Sequence, residues 1–162
     1  MKKLLAAILA LVCLLGLTAC GKEEILEKPP ELRIVSGEGT VTASEGTSSW
    51  MYSNGFGMTG VESCYDHPLG YKDDVETLTT DDSAVELDFA VEPDSVSAVE
   101  CWSDEHWGNT DAESETIGLH VVNDTLTVPL KPGGWVYVVK ADWERTDYNG
   151  NCRYVFHVVC TE

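Results

Sequence analysis

The residues best suited to chemistry lie in CWSDEHWGNTDAESE, residues 101–115. Trp102, His106 and Trp107 stand there among acidic side chains. Exposed tryptophans in a loop can offer a platform to a sugar ring or a peptide, and with His106 beside them these three are the candidate ligand-binding residues. The same rings could instead cap the end of a β core, with the acids solvated around them. Asn109, Asp111 and Glu113 alternate, so their oxygens can meet on a calcium ion, a hard cation that takes oxygen ligands; the spacing is not that of an EF-hand. No other cofactor is suggested. The chain has no Gly-x-Ser-x-Gly, no His-Glu-x-x-His, no P-loop and no dinucleotide-binding glycine pattern. Acid pairs such as Asp73-Asp74 and Asp81-Asp82 are of the type a glycosidase uses, but 28 acids make chance pairs certain. No catalytic residue is assigned, and the chain is read as a non-enzyme. Of the scattered histidines, His157 is expected on the solvent face of a strand and His120 packed within an apolar run.

Cysteine is the other reactive residue type. Cys64, Cys101, Cys152 and Cys160 are an even set, which in an exported domain predicts disulfides, and four cysteines allow three pairings. Cys152 and Cys160 sit on one predicted strand, about 26 Å apart at about 3.3 Å per residue. A disulfide needs Cα atoms within about 7 Å, which excludes Cys152–Cys160. Each must then pair with Cys64 or Cys101, and both arrangements remain open. Zinc is disfavoured by the absence of any Cys-x-x-Cys.

The first 21 residues place the chain. Lys2 and Lys3 precede fourteen nearly all apolar residues, 4–17, too few for a bilayer core that needs about 20. The pattern is that of a signal peptide. It ends in Leu17-Thr18-Ala19-Cys20, which resembles the lipobox of bacterial lipoproteins. The resemblance implies cleavage before Cys20 and attachment of diacylglycerol to its thiol. It places the protein at the cell membrane, lipid-anchored on the extracytoplasmic face. Acyl burial contributes about 0.8 kcal/mol per CH₂, and two chains hold stably where one does not. The expected organisation is residues 1–19 as signal peptide, 20–31 as lipidated cysteine and polar tether stiffened by Pro29-Pro30, and 32–162 as a single β-sandwich domain.

From Cys20 onward, 8 Lys+Arg face 28 Asp+Glu, a formal −20. That balance argues against nucleic acid, whose binding rests on cationic contacts to phosphate. It also argues against a second, electrostatic hold on anionic headgroups, so the domain is expected to stand off the membrane.

The elements that must position these residues read as strands. Residues 85–91 alternate, with Val85, Leu87, Phe89 and Val91 on one face. Strands are also predicted at 32–35, 40–42, 49–52, 96–102, 116–122 and 125–130, with Asn123-Asp124 as a turn. The clearest are 135–143 and 152–160, joined by a loop whose Asn149-Gly150 is a hairpin signal. About eight short strands without helical periodicity predict an all-β, antiparallel sandwich. Residues 130–158, LKPGGWVYVVKADW followed by GNCRYVFHV, resemble the last two strands of bacterial immunoglobulin-like domains, which implies an immunoglobulin-like sandwich. Residues 44–80 depart from a minimal domain of that kind and are read as an inserted loop or an added hairpin. Cys152, Tyr154, Phe156, Val158 and Cys160 share the expected core face.

The expected role is a membrane-anchored extracytoplasmic module for binding or interaction at the cell envelope. Its partners would be the bilayer, through diacylglycerol on Cys20, and a protein or glycan at the surface. The alternatives are an accessory subunit of an envelope complex without a ligand of its own, or an envelope hydrolase.

Overall fold

A computed structural model describes residues 25–97 and 99–161. The expected signal peptide at residues 1–19 and the expected lipidation site Cys20 lie outside the described residues. Among those described, no helix is long and apolar enough to cross a membrane.

Thirteen strands are described: β1 (Leu32–Ser36), β2 (Gly39–Thr42), β3 (Ser44–Ser53), β4 (Met58–Ser63), β5 (Thr77–Thr80), β6 (Ala84–Phe89), β7 (Ser95–Val96), β8 (Val99–Ser103), β9 (Glu115–Ile117), β10 (His120–Val122), β11 (Thr125–Pro129), β12 (Gly133–Glu144) and β13 (Tyr148–Cys160). They form two sheets. The smaller runs β10-β11-β6-β1-β2 and the larger β4-β3-β13-β12-β8-β9, with β7 added to β12 and β5 to β13. Pairing is antiparallel except for β5, which runs parallel to the last residues of β13. The fold is an all-β sandwich.

Alternation builds the core. In β6, Val85 and Leu87 are buried while Glu86 is exposed between them. From the larger sheet, Tyr137, Val139, Ala141 and Trp143 of β12 and Cys152, Tyr154, Phe156 and Val158 of β13 point into the same cluster, as the alternation of β13 predicts. Tyr137 stacks on Phe156 with centroids 5.3 Å apart. Trp50 meets Trp143 edge-on at 5.5 Å and stacks on Tyr148 at 5.6 Å. Such pairs contribute about 0.5–1.5 kcal/mol each beyond their buried area.

Three expectations are corrected, on the tether, the last turn and His120, and of the two readings of 44–80 the added hairpin is the one found. The tether is shorter than read, because residues 25–31 are docked. Pro29 and Pro30 are buried, Trp50 Nε1 donates to the Leu26 carbonyl at 2.7 Å, and Tyr154 Oη donates to the Pro30 carbonyl at 2.5 Å. Two buried ring donors need acceptors, and this segment supplies them. The β12–β13 turn lies at 145–147, closed by Arg145 N–H on the Tyr148 carbonyl at 3.0 Å, so Asn149-Gly150 is not the turn. Gly150 is already in the ladder opposite Trp50, where a methyl group would fall 2.8 Å from the Trp50 ring and closer still to the Ser49 carbonyl. Residues 44–80 supply the β3–β4 hairpin and a cover for the outer face of the larger sheet. His120, expected to be packed, is exposed on the edge strand β10.

The fold also leaves the four thiols free: Cys64 is exposed, and Cys101, Cys152 and Cys160 are buried. The expected disulfides are not formed, and strand register gives the reason. Cys101, Tyr137 and Phe156 lie level across β8, β12 and β13. Cys152 and Cys160 are each four residues from Phe156 along β13, which puts either about 16 Å from Cys101. Cys64 follows Ser63, which lies level with Ser48 and Cys152 across β4, β3 and β13, about 10 Å away. Both separations exceed the reach of a disulfide. Cys152 and Cys160 occupy one unbroken strand, so that pair is excluded as the sequence predicts. Burial pushes the Cys152 thiol up to about 12 and raises that of Cys101, which keeps both protonated and unreactive.

Candidate functional site

The outer face of the larger sheet carries His157–Val136–Trp102 in one row and Val155–Val138–Glu100 in the next, across β13, β12 and β8. An apolar strip on both faces of a strand demands cover on both sides. Two segments provide it. Leu69 and Val75 from 64–76, and Trp107 and Ala112 from 103–112, pack with Trp102, Val136, Val138 and Val155 as a second cluster. The segments are tied together by Gly108 N–H on the Leu69 carbonyl at 2.8 Å.

This layer rewrites the expected platform. Trp102 is 5 % exposed, and its Nε1 donates to the Ala112 carbonyl at 3.1 Å. Trp107 is half-buried, edge-on to His157 at 5.6 Å. His106 alone of the three is exposed, in a 3-10 turn. The tryptophans are therefore packing residues, and they cover a sheet face rather than capping an end. Asn109, Asp111 and Glu113 are exposed, and the Asn109 Oδ1 accepts the Asp111 N–H at 3.2 Å. Among the described residues no group of three or more His, Cys, Asp or Glu is placed to hold a metal ion.

His157 is on the outer face as expected, but it is 8 % exposed rather than solvated. Its Nδ1 lies 2.9 Å from Thr77 Oγ1 and its Nε2 3.2 Å from Asp104 Oδ2. A hydroxyl, an imidazole and a carboxylate in line are the parts of a nucleophile, base and orienting group. Here the imidazole joins three elements, holding β5 and the 103–107 turn to β13. Gly134 leaves room for the carboxylate, since a methyl there would overlap Asp104.

A concave site lies beside this cluster, where β3, β12 and β13 meet the 64–71 segment. It is a cleft of about 280 Å³. Val138 and Val155 form its apolar base, Tyr65, His67 and Tyr71 line it with rings, and Arg153 and Asp66 bring charge. The pairing of β13 with β3 shifts register at Cys152/Tyr154, beside the cleft. Gly46 sits at that irregularity, where a methyl would come within 2.9 Å of the Arg153 carbonyl. Arg153 is held by Glu100 at 2.8 Å across β12. The His67 Nδ1 accepts the Leu69 N–H at 3.3 Å, so the neutral ring carries its proton on Nε2. Tyr65 and Tyr71 are 5.7 Å apart.

Tyr71 is the anomaly. It is 7 % exposed, and its hydroxyl is buried with no hydrogen-bond partner among the described residues. Burial first, then Tyr65, Asp66 and Asp74, pushes its ionisation up to about 12, so it stays a neutral donor and acceptor. An orphaned buried hydroxyl costs about 1–3 kcal/mol, so its presence here calls for an explanation. The sequence reading missed this site, because its residues come from four segments far apart in the chain, β3, 64–71, β12 and β13. The available signal was Val136, Val138 and Val155, apolar at positions that an ordinary half-buried strand would give to solvent. Comparison of the chain with protein-family models, with curated proteins and with solved structures finds no match.

Proposed function

We propose that this protein is a lipid-anchored, extracytoplasmic binding module, held at the cell membrane through Cys20, with the Tyr65–Tyr71 cleft as its ligand site. The buried Tyr71 hydroxyl without a partner, in a cleft walled by rings over an apolar base, is the observation that carries the site. Rings above an apolar base with a few convergent polar groups suit a ligand with one apolar face and several hydroxyl or amide groups. A sugar ring or a short peptide segment has that chemistry, and ring stacking with a hydrogen bond to Tyr71 would hold it. The anchor rests on the lipobox, and the docked segment from residue 25 leaves only a short link to the membrane.

A thermal-shift screen of residues 22–162 against glycans and envelope peptides tests the site. A ligand at 100 times its dissociation constant stabilises by about 2.7 kcal/mol. The shift should persist in Trp107→Ala and disappear in Tyr65→Ala. A hit indifferent to Tyr65 and Tyr71 would move the site elsewhere. The anchor is tested by Cys20→Ser followed by cell fractionation: processing that continues as in the wild type would refute lipidation.

A further inference from the structure

Eight large apolar side chains are exposed among the described residues, and four of them, Met51, Phe56, Met58 and Val61, lie on the β3–β4 hairpin. Phe56 is fully exposed at its tip. The tip is a built feature. Asn54 N–H donates to the Gly57 carbonyl at 3.0 Å, Phe56 N–H donates to the Asn54 Oδ1 at 2.9 Å, and Gly55 has a φ of +85°, a conformation that favours glycine. Residues 46–61 contain no Asp, Glu, Lys or Arg, in a chain that is 23 % charged. Singly exposed apolar residues are ordinary, whereas an uncharged group of them marks a contact surface.

The docked N-terminal segment says what that surface faces. Pro30 bonds Tyr154, which is level with Glu45. Leu26 bonds Trp50, which is level with Gly150. Traced backward from β1, the chain therefore travels along β3 toward the hairpin tip. Ile25 is then five residues from Cys20, a link that reaches at most about 18 Å.

Resting on the lipid-anchor reading, we infer that the β3–β4 hairpin tip is a second membrane contact, seating Phe56, with Met58 beside it, in the interface of the bilayer that holds Cys20. Burying one aromatic side chain at short tether length orients the domain without requiring a basic patch. The adjoining turn carries Glu144, Arg145 and Asp147, two acids to one base, so the matching surface is zwitterionic rather than anionic. The domain's acidity keeps the remainder away from the membrane while this uncharged end touches it.

The full chain, purified with its anchor and reconstituted in phosphatidylcholine vesicles, provides the test. Phe56→Cys in a Cys64→Ala background carries an environment-sensitive dye. A matched chain carries the dye at Thr79→Cys, exposed on β5 at the opposite end of β13. Phe56 makes no packing contact that its replacement would remove, so the variant folds. The expected result is a blue shift at position 56 on vesicles, with quenching by spin-labelled lipid, and neither effect at position 79. Equal, water-like signals at both positions in vesicle-bound protein would overturn the contact and leave the anchor standing. A chain that does not stay with the vesicles would overturn both. A shift at position 56 that grows with protein concentration in detergent, unchanged by vesicles, would assign the tip to a second copy and reject the lipid surface.

Discussion

Tyr71→Phe removes a single oxygen, and the structure fixes the sign of its effect. The ring is 93 % buried and stays in place against Tyr65. Only the hydroxyl, which has no partner among the described residues, is lost. Desolvating such a group costs about 1–3 kcal/mol, so the variant should be more stable by about that amount. For a domain of this size 1 kcal/mol moves Tm by about 3 °C, which predicts a rise of about 3–9 °C. The assay is thermal and urea unfolding of residues 22–162 under reducing conditions at pH 7, followed by the binding measurement. Affinity should fall while stability rises, which separates a ligand-facing hydroxyl from a structural one. The pH dependence adds a second reading. Below pH 10 both the folded and unfolded chains keep the tyrosine proton. Between pH 10 and about 12 the unfolded chain releases it and the folded chain does not. The wild type therefore loses stability over that interval, and Tyr71→Phe should lose less. A variant no more stable than the wild type at pH 7 would mean that the hydroxyl is already bonded, and the polar anchor of the cleft would be refuted.

Burial also raises the ionisation of Tyr137, Tyr154, Cys101 and Cys152, so the urea midpoint should fall steadily from about pH 9 upward, and a flat profile to pH 11 would contradict their burial. Gly150→Ala drives a methyl into the Trp50 ring and the Ser49 backbone and should destabilise by about 1–3 kcal/mol in urea unfolding; a neutral result would mean that β3 is free to move. His157→Ala cuts the links to Thr77 and Asp104 and should cost about 1–3 kcal/mol while making 103–112 an early cleavage site in limited proteolysis. Maleimide labelling of residues 22–162 without reductant should add one group to the native protein, at Cys64, and four after unfolding; two or fewer after unfolding would show that disulfides form.

The sequence by itself determined the class of fold. Alternation at 85–91 and in β13 places Val85, Leu87, Tyr154, Phe156 and Val158 on inward faces, because a strand of period two can bury only one set of side chains against a single sheet. Asn123 and Asp124 take φ values of +51° and +64°, the left-handed pair that a two-residue turn between β10 and β11 requires, and that local chemistry was legible. What the tertiary structure decided are the places where distant segments meet. Asn149-Gly150 carries a turn signal, yet the pairing of β13 with β3 puts Gly150 beneath Trp50, so packing outweighs local propensity. Pro29-Pro30 reads as a linker until Trp50 and Tyr154 need acceptors. Cysteine count predicts disulfides, but register sets the sulfurs too far apart. Trp102, Trp107 and His157 read as surface residues because nothing local announces that 64–76 and 103–112 fold back over the sheet. The cleft exists only because of that cover, and its unpartnered tyrosine could be recognised only once every neighbouring donor and acceptor had been placed.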